Sequence, residues 1–399
     1  FSLDSIDMDL LTESFPYSET EDQIRCLEEV QKDMKSKKPM DRLICGDVGV
    51  GKTEVAIRAT YSALVAGKQA LVLAPTTILA NQLFNSFSKR FALLGVEVKQ
   101  FSRLTESKEV KNILHSLASG KVCVVVGTHR LLSKAVSVPN LGLVVIDEEH
   151  RFGAKQKEFL RDFCLGADVL SMSATPIPRT LQFSLSGIRD ISTIKTPPPG
   201  RLPIITSVEE FQPEFLKSAI LYEVGRGGQI FFVNSNISEI PELKRGLHQL
   251  LPDLKIGLAH GRLKPEELEG VMLKMVNGEF DLLLSTTIIE AGIDLPNVNT
   301  IFINNAHLYG LAQLYQMRGR VGRSSVQAYC YLVLPQSDIG VNARERLRTI
   351  QYNSELGSGF AVAMRDLEMR GGGNLFGVEQ SGHLAAVGFH LYTKIVREA

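Results

Sequence analysis

Arg42-Leu43-Ile44-Cys45-Gly46-Asp47-Val48-Gly49-Val50-Gly51-Lys52-Thr53-Glu54-Val55-Ala56-Ile57 runs from an apolar strand pattern, through a glycine-rich turn, into a helical pattern. Gly46-x4-Gly51-Lys52-Thr53 matches the phosphate-binding loop, and it stands where such a loop must, between a strand and a helix. Glycines let backbone N–H groups converge on phosphate oxygens without a Cβ in the way, and the helix N-terminus adds a favourable dipole. Gly46, Asp47, Val48, Gly49, Val50 and Gly51 are expected to wrap the phosphates of ATP. Lys52 then holds the β- and γ-phosphates, and the Thr53 hydroxyl takes Mg2+. The alternative is a chance match in a glycine-rich turn; the flanking strand and helix count against it.

Outward from this loop, short β-branched runs recur, each followed by a longer helical pattern. Strands are expected near 42–46, 70–74, 97–101, 122–126, 142–146 and 169–173, then near 204–208, 229–234, 255–259, 281–285, 300–304 and 328–334. Near-continuous runs such as Leu143-Val144-Val145-Ile146 suit strands buried on both faces, hence parallel sheets covered by helices, an α/β architecture. Thr196-Pro197-Pro198-Pro199-Gly200 can continue neither a helix nor a central strand and reads as a stiff linker; a long surface loop is the alternative. The expected organisation is a leading segment 1–14, a first lobe 15–196, a second lobe 197–340 and a C-terminal part 341–399. In that last part Leu356, Phe360, Ala363, Met364 and Leu367, then Leu384, Val387, Leu391 and Ile395, recur at helical spacing around Arg370-Gly371-Gly372-Gly373-Asn374, the pattern of a helical hairpin.

Composition removes several classes. With 399 residues, 44% of them hydrophobic, the chain can bury more than one core. No apolar run approaches the length of a membrane span. The five cysteines (Cys26, Cys45, Cys123, Cys164, Cys330) form no CxxC and read as buried thiols rather than a disulfide framework or zinc site. Forty-four basic and 44 acidic residues cancel, which by itself argues against a nucleic-acid binder but leaves room for a local basic groove. The start at Phe1-Ser2-Leu3-Asp4 has no signal-peptide pattern and reads as an interior piece of a longer protein.

Three further clusters bear on the nucleotide. Asp147-Glu148-Glu149-His150 follows the apolar strand Leu143–Ile146; a carboxylate there reaches the same crevice as the phosphate loop. Asp147 is expected to orient Mg2+ and Glu148 to polarise the attacking water, with His150 either linking the site to the cleft or bonding locally. Gln316-Met317-Arg318-Gly319-Arg320-Val321-Gly322-Arg323 sets Arg320 and Arg323 three apart, which predicts one helical face carrying two permanent cations suited to transition-state charge. A basic surface helix is the bland alternative. Phe15 and Gln23 precede the phosphate loop by an interval suited to packing on and hydrogen-bonding adenine, while Thr20 and Gln23 also fit a capping box; both roles can hold.

The ordered set now resembles superfamily 2 helicases and translocases. Eight motifs stand in that family's order: Phe15…Gln23, the phosphate loop, Ala74-Pro75-Thr76-Thr77, Gly127-Thr128-His129, the Asp147 box, Ser173-Ala174-Thr175, Thr286-Thr287…Glu290…Gly292-Ile293-Asp294, and Gln316–Arg323. The resemblance implies two RecA-like lobes in tandem, with Gly292, Asp294 and Gln316 joining the ATP site. Met40-Asp41-Arg42, the Asp-Glu-Glu-His box followed by Arg151-Phe152-Gly153, and Ala174-Thr175-Pro176-Ile177-Pro178-Arg179-Thr180 are similar to the RecG and transcription-repair coupling factor families. Arg365-Asp366-Leu367-Glu368-Met369-Arg370-Gly371 through Glu379-Gln380-Ser381-Gly382 resembles their shared translocation motif. Glu54, Glu149 and Ser186-Gly187-Ile188-Arg189-Asp190 favour the coupling factors.

What that likeness implies is a motor module that moves on double-stranded DNA without separating strands, in a bacterial cytoplasm at the nucleoid. It would displace stalled RNA polymerase and aid strand-specific repair, contacting polymerase and nucleotide-excision repair proteins through regions absent from this chain. A RecG-type fork-regression motor is the alternative. Thr76, Thr77, Thr128, His129, Thr175, Thr286 and Thr287 are the expected contacts to DNA phosphates, though each threonine could equally cap a helix. Arg346, Arg370 and Gln380 would pass lobe movement to the duplex, or form a hydrogen-bonded loop clasp. A nucleotide-binding scaffold without turnover and an RNA helicase are the rivals; intact Lys52, Glu148, Arg320 and Arg323 oppose the first, the translocation-like tail the second.

Overall fold

The computed structural model describes residues 5–103, 105–133, 135–173, 189–286, 295, 297–322, 326–336, 339–353, 362 and 365–366. The chain divides between Pro198 and Pro199 into two compact units, Val362 being the last residue of the second.

The first unit is built on β1 (Asp41–Gly46), β2 (Gln69–Leu73), β3 (Val98–Phe101), β4 (Val124–Gly127), β5 (Leu141–Asp147), β6 (Asp168–Ser173) and β7 (Asp190–Ile194). These strands pair in the order β3-β4-β2-β5-β6-β1-β7, every neighbour parallel. Successive side chains of a strand point to opposite faces, so the buried run of β5 feeds two cores. Val145 packs with Ile44, Val72, Met172 and Val55 on one face; Val144 and Ile146 pack with Leu71, Leu73, Ile113 and Leu160 on the other. The helix Lys52–Val65 is buried almost all round, as its apolar content on every side demands. It stops at left-handed Gly67, where Lys68 N donates to Ala63 O (3.0 Å) and Gly67 N to Leu64 O (2.8 Å).

Twelve strands expected from the sequence are present within a few residues, and the described residues contain a thirteenth, β7. Asp190-Ile191-Ser192-Thr193-Ile194 is half polar because it is an edge strand, bonded only to β1. Its position serves the phosphate loop: a Cβ on Gly46 would lie 2.7 Å from Ile194 O, so glycine lets the two strands close there. Met40-Asp41-Arg42 ties this end of the sheet together. Met40 N donates to Asp168 Oδ1 (2.7 Å), and Arg42 donates to Asp33 Oδ2 (2.6 Å) and Ser192 Oγ (2.8 Å). After β7, Asp22 Oδ2 accepts from Lys195 N (2.8 Å), Thr196 N (2.9 Å) and the Thr196 hydroxyl (3.0 Å), anchoring the chain just before the prolines. Burial alone would raise the Asp22 pKa; the bonds from Thr196 and Lys195 outweigh it and hold the carboxyl below its usual range.

The second unit has its own all-parallel sheet: β8 (Ile205–Glu210), β9 (Gln229–Val233), β10 (Ile256–Ala259), β11 (Leu282–Ser285), β12 (Val298–Asn304) and β13 (Tyr329–Leu334), ordered β10-β11-β9-β12-β13-β8. Leu216, Ile220, Ile230, Phe232, Leu247, Leu284 and Phe302 form a core. Both sheets give the two tandem RecA-like folds that the motifs implied. The helix Val341–Tyr352 follows β13 in the second unit; the expected helical hairpin and the translocation-like motif lie outside the described residues except at Val362, Arg365 and Asp366. All five cysteines are buried free thiols, and burial pushes Cys45, Cys164 and Cys330 up to about 12. No helix among the described residues is long and apolar enough to cross a membrane.

Candidate nucleotide site

All strands of the first sheet point the same way, so the segments that leave their C-terminal ends share one edge. Read along the sheet, that edge carries Gly127-Thr128 from β4, Ala74 to Thr77 from β2, Asp147-Glu148 from β5, Ser173 from β6 and Gly46 from β1. Register fixes the spacing: Asp147 is level with Met172, and Cys45, one residue before Gly46, is level with Ser173. Motifs scattered through 128 positions of sequence thus become neighbours through topology alone.

Gly49 (φ 77°) and Gly51 (φ 85°) take left-handed conformations that bend the loop into its helix. Lys52 Nζ donates to Gly46 O (2.8 Å) and Asp47 O (2.7 Å), bridging the loop from its end to its start. Burial lowers the Lys52 pKa, and the carboxylates of Glu148, Asp147 and Asp47 oppose that shift.

Glu148 sits in the left-handed region (φ 49°), a conformation that costs free energy for any residue with a side chain. Its N–H donates to Asp147 Oδ1 (3.0 Å), and its carbonyl accepts from Arg151 N (2.9 Å). The side chain is buried; Oε2 makes no hydrogen bond among the described residues, and His150 Nδ1 lies 3.3 Å away. A buried carboxylate oxygen left open beside an imidazole is suited to hold a reacting water. Glu149 turns the other way and accepts from the Arg189 guanidinium (2.6 Å). Burial would raise its pKa; the Arg189 charge and hydrogen bond, with the Ser171 hydroxyl, bring it below the usual value.

Before the loop, the capping box is present: Gln23 Oε1 accepts from Thr20 N (2.9 Å) and Thr20 Oγ1 accepts from Gln23 N (3.3 Å). Gln23 does more than cap. Its Nε2 donates to Val50 O (2.8 Å), joining its helix to the phosphate loop. Phe15 is half-buried under the Arg90 guanidinium, 5.6 Å from the ring centre, and Tyr17 meets it edge-on at 5.5 Å. Arg90 also donates to Glu54 Oε1 (2.6 Å), Leu11 O (2.7 Å) and Ser14 Oγ, while Arg58 pairs with Glu54 (2.9 Å) and Glu19. The sequence marks Glu54 without this four-charge cluster, whose members come together only in the fold.

The track candidates divide. Thr76 caps the helix Thr77–Phe91, its hydroxyl accepting from Leu79 N (3.3 Å), so the capping reading holds for it. Thr77 is half-buried, Thr128 is buried, and His129 is exposed at the end of β4. In the second unit Thr286 follows β11 and is buried. Asn234 and His260 stand at the neighbouring strand ends of β9 and β10, unmarked by any sequence pattern; Asn234 accepts from Asn304 Nδ2 (2.9 Å). Arg346 donates to Tyr309 O (3.2 Å) and His307 O (2.9 Å), the loop clasp weighed as the alternative.

The one-face expectation for Arg320 and Arg323 is corrected at Arg320. The helix Leu311–Arg318 ends before it, capped at Gly319, and the chain turns through Gly322 (φ 73°). Arg320 therefore lies on a turn and is buried, with Gln316 half-buried on the helix. Two glycines overrode the three-residue spacing. Arg323, Thr175, Thr287, Gly292, Asp294, Arg370 and Gln380 lie outside the described residues.

The family model described as DEAD/DEAH box helicase matches residues 20–183, and that described as helicase conserved C-terminal domain matches residues 212–325. The transcription-repair-coupling factor of Borreliella burgdorferi is 49% identical over 395 residues, covering 98% of this chain and 35% of that protein. Its counterpart in Bacillus subtilis is 48% identical over 387 residues, covering 97% and 33%. The chain thus spans about a third of the length of these relatives. Among solved structures, RecG bound to a three-way DNA junction is similar, with a TM-score of 0.82 and 39% identity over 96% of this chain and 52% of that one.

Proposed function

Because this chain belongs to the transcription-repair-coupling-factor branch of the superfamily 2 helicases, we propose that it converts ATP hydrolysis into movement along double-stranded DNA. The observation that supports this most is the single strand-end row of the first unit, with Thr128 and Thr77 beside Asp147 and the phosphate loop. One stiff sheet edge that bears both sets of groups can transmit a change at the phosphates to those touching a DNA backbone.

We assign Glu148 to orient the attacking water and draw off its proton, with His150 beside it to share the charge. On binding, Lys52 exchanges its two loop carbonyls for phosphate oxygens. The Thr53 hydroxyl and Asp147 carboxylate are hard oxygen donors and fit Mg2+, which when bound supplies charge neutralisation at the phosphates. Phe15 and Gln23 are assigned to the adenine, and Gly292, Asp294 and Gln316 to the nucleotide from the second unit. Arg320 and Arg323 are assigned to the charge that develops on the transferred phosphoryl group, a role worth about 10³–10⁵ in rate. Thr77, Thr128, His129, Thr175, Thr286 and Thr287 are assigned to DNA phosphates, and Arg370 and Gln380 to coupling. Within a longer protein, this motor would act on stalled RNA polymerase and serve nucleotide-excision repair in the bacterial cytoplasm.

ATPase measured with and without duplex DNA over a salt series tests the proposal. Turnover should rise with duplex, and the stimulation should decline as salt restores counterions to the phosphates. Lys52→Ala should abolish hydrolysis; Glu148→Gln should bind ATP without turning it over. Equal rates without DNA, stimulation by RNA alone, or normal turnover in either variant would overturn it. The RecG likeness favours fork regression as a second reading. Displacement of a triplex strand from linear duplex, with forks left unconverted, decides for the first.

A further inference from the structure

Glu149 and Arg189 lie 40 positions from one another and meet in the fold. Arg189 NH1 donates to Glu149 Oε2 and NH2 to Ser171 Oγ, both at 2.6 Å, while Nε lies 2.7 Å from Asp41 Oδ1 as an ion-pair contact. One guanidinium thereby joins the turn after β5, the middle of β6 and the start of β1. It is largely shielded from water, its side chain 14% exposed against 27% for Glu149. A planar fork spreads its donors over three nitrogens and so can reach three partners that lie apart, where an ammonium gathers its donors on one atom.

This anchor stands next to the strained residue of the site. Glu148 occupies the left-handed region, and such a conformation persists only where its surroundings fix it on both sides. Upstream, Asp147 Oδ1 accepts from Glu148 N. Downstream, the turn Glu149–Arg151 begins at Glu149, whose side chain Arg189 grips. Arg189 is also where the described chain resumes after leaving β6 at Ser173, and it returns to Ser171 of that same strand.

We propose that Arg189 is a positioning residue for hydrolysis, gripping Glu149 so that the neighbouring Glu148 carboxylate stays aimed at the attacking water. Arg189 touches no reacting atom. It acts through the Glu149 turn. The proposal rests on the assignment of Glu148 as the water-orienting carboxylate.

Duplex-stimulated ATPase of the whole chain tests it. Arg189→Ala should lower kcat about tenfold with the KM for ATP unchanged, the split expected when an interaction serves only the turnover step. Arg189→Lys should recover part of the loss by restoring the charge opposite Glu149. Because the two side chains act as one unit, Glu149→Ala combined with Arg189→Ala should lose no more than Arg189→Ala alone. Glu149→Gln, nearly isosteric, carries the test if the alanine variants fold poorly; its kcat should also fall at constant KM. Parental kcat in folded Arg189→Ala and Glu149→Gln, a KM that rises as kcat falls, or additive losses in the double variant would overturn the proposal. Glu148→Gln separates the two levels. If it abolishes turnover while Arg189→Ala is normal, only the positioning role fails; if it retains turnover, the underlying assignment fails.

Discussion

Gly51 meets two separate demands. Its φ of 85° strains any other residue, and a Cβ there would lie 2.1 Å from Gln23 Nε2, the atom that donates to Val50 O. Gly67 shares the first demand, at φ 72°, but has nothing within 4 Å of its Cβ position. Gly67→Ala should therefore cost about 1–2 kcal/mol, the left-handed penalty alone. Gly51→Ala should cost more, by roughly the 1–3 kcal/mol of a buried polar group left without its partner, and should also weaken ATP binding. Chemical denaturation of the two variants, with nucleotide titration of each, checks the difference; equal losses would mean that Gln23 gives way freely. At this scale the sequence was readable where chemistry and spacing coincide. Lys52, Asp147 and Glu148 follow directly from strand ends. It was unreadable where a bond spans distance: nothing in the capping pattern of Thr20 and Gln23 reveals the bond to Val50, 27 residues on.

Between elements, the charges of Glu19, Glu54, Arg58 and Arg90 bind the helices Lys52–Val65 and Thr77–Phe91 and the Phe15 loop into one body. The Glu54 side chain is 7% exposed and that of Arg90 11%, so neither is compensated by water. Removing one partner of a buried pair leaves an uncompensated charge, and Arg90→Ala should destabilise the first unit by about 3 kcal/mol, though Arg58 still faces Glu54. The paired replacement Glu54→Gln with Arg90→Gln removes both charges and should cost clearly less when the variants are compared by chemical denaturation. If the double variant is as unstable as Arg90→Ala, shape rather than charge holds the cluster. Elements were legible in proportion to their burial. Central strands such as β2 and β5 announce themselves as apolar runs, because both faces are covered. β7 does not: an edge strand with Ser192 and Thr193 looks like the loop that leads to the prolines, yet its Ile194 carbonyl closes on Gly46. The arginine turn failed for a related reason. Period alone placed Arg320 on a helix, and Gly319 ended it.

Over the whole molecule, the three prolines fall where the chain divides, because no sheet hydrogen bond needs to cross a segment that cannot donate one. Each sheet pairs strands only from its own side of Pro198. The buried cluster around Phe232, Leu247 and Phe302 likewise draws on residues after that point, and the phosphate loop lies wholly before it. Residues 199–362 made alone should then fold cooperatively, since they retain a complete parallel sheet and the core that covers it. Their melting temperature should not respond to ADP. The whole chain should be stabilised by ADP in the transition of its first unit, by about 2.7 kcal/mol when the nucleotide is at 100 times its Kd. Calorimetry of the fragment and of the whole chain, each with and without ADP, separates the outcomes. A broad, non-cooperative melt of the fragment would mean that the second core depends on the first unit. A rise of the fragment's melting temperature with ADP would place a complete nucleotide site after Pro198, and the assignment of Lys52 as the main phosphate ligand would fall with it.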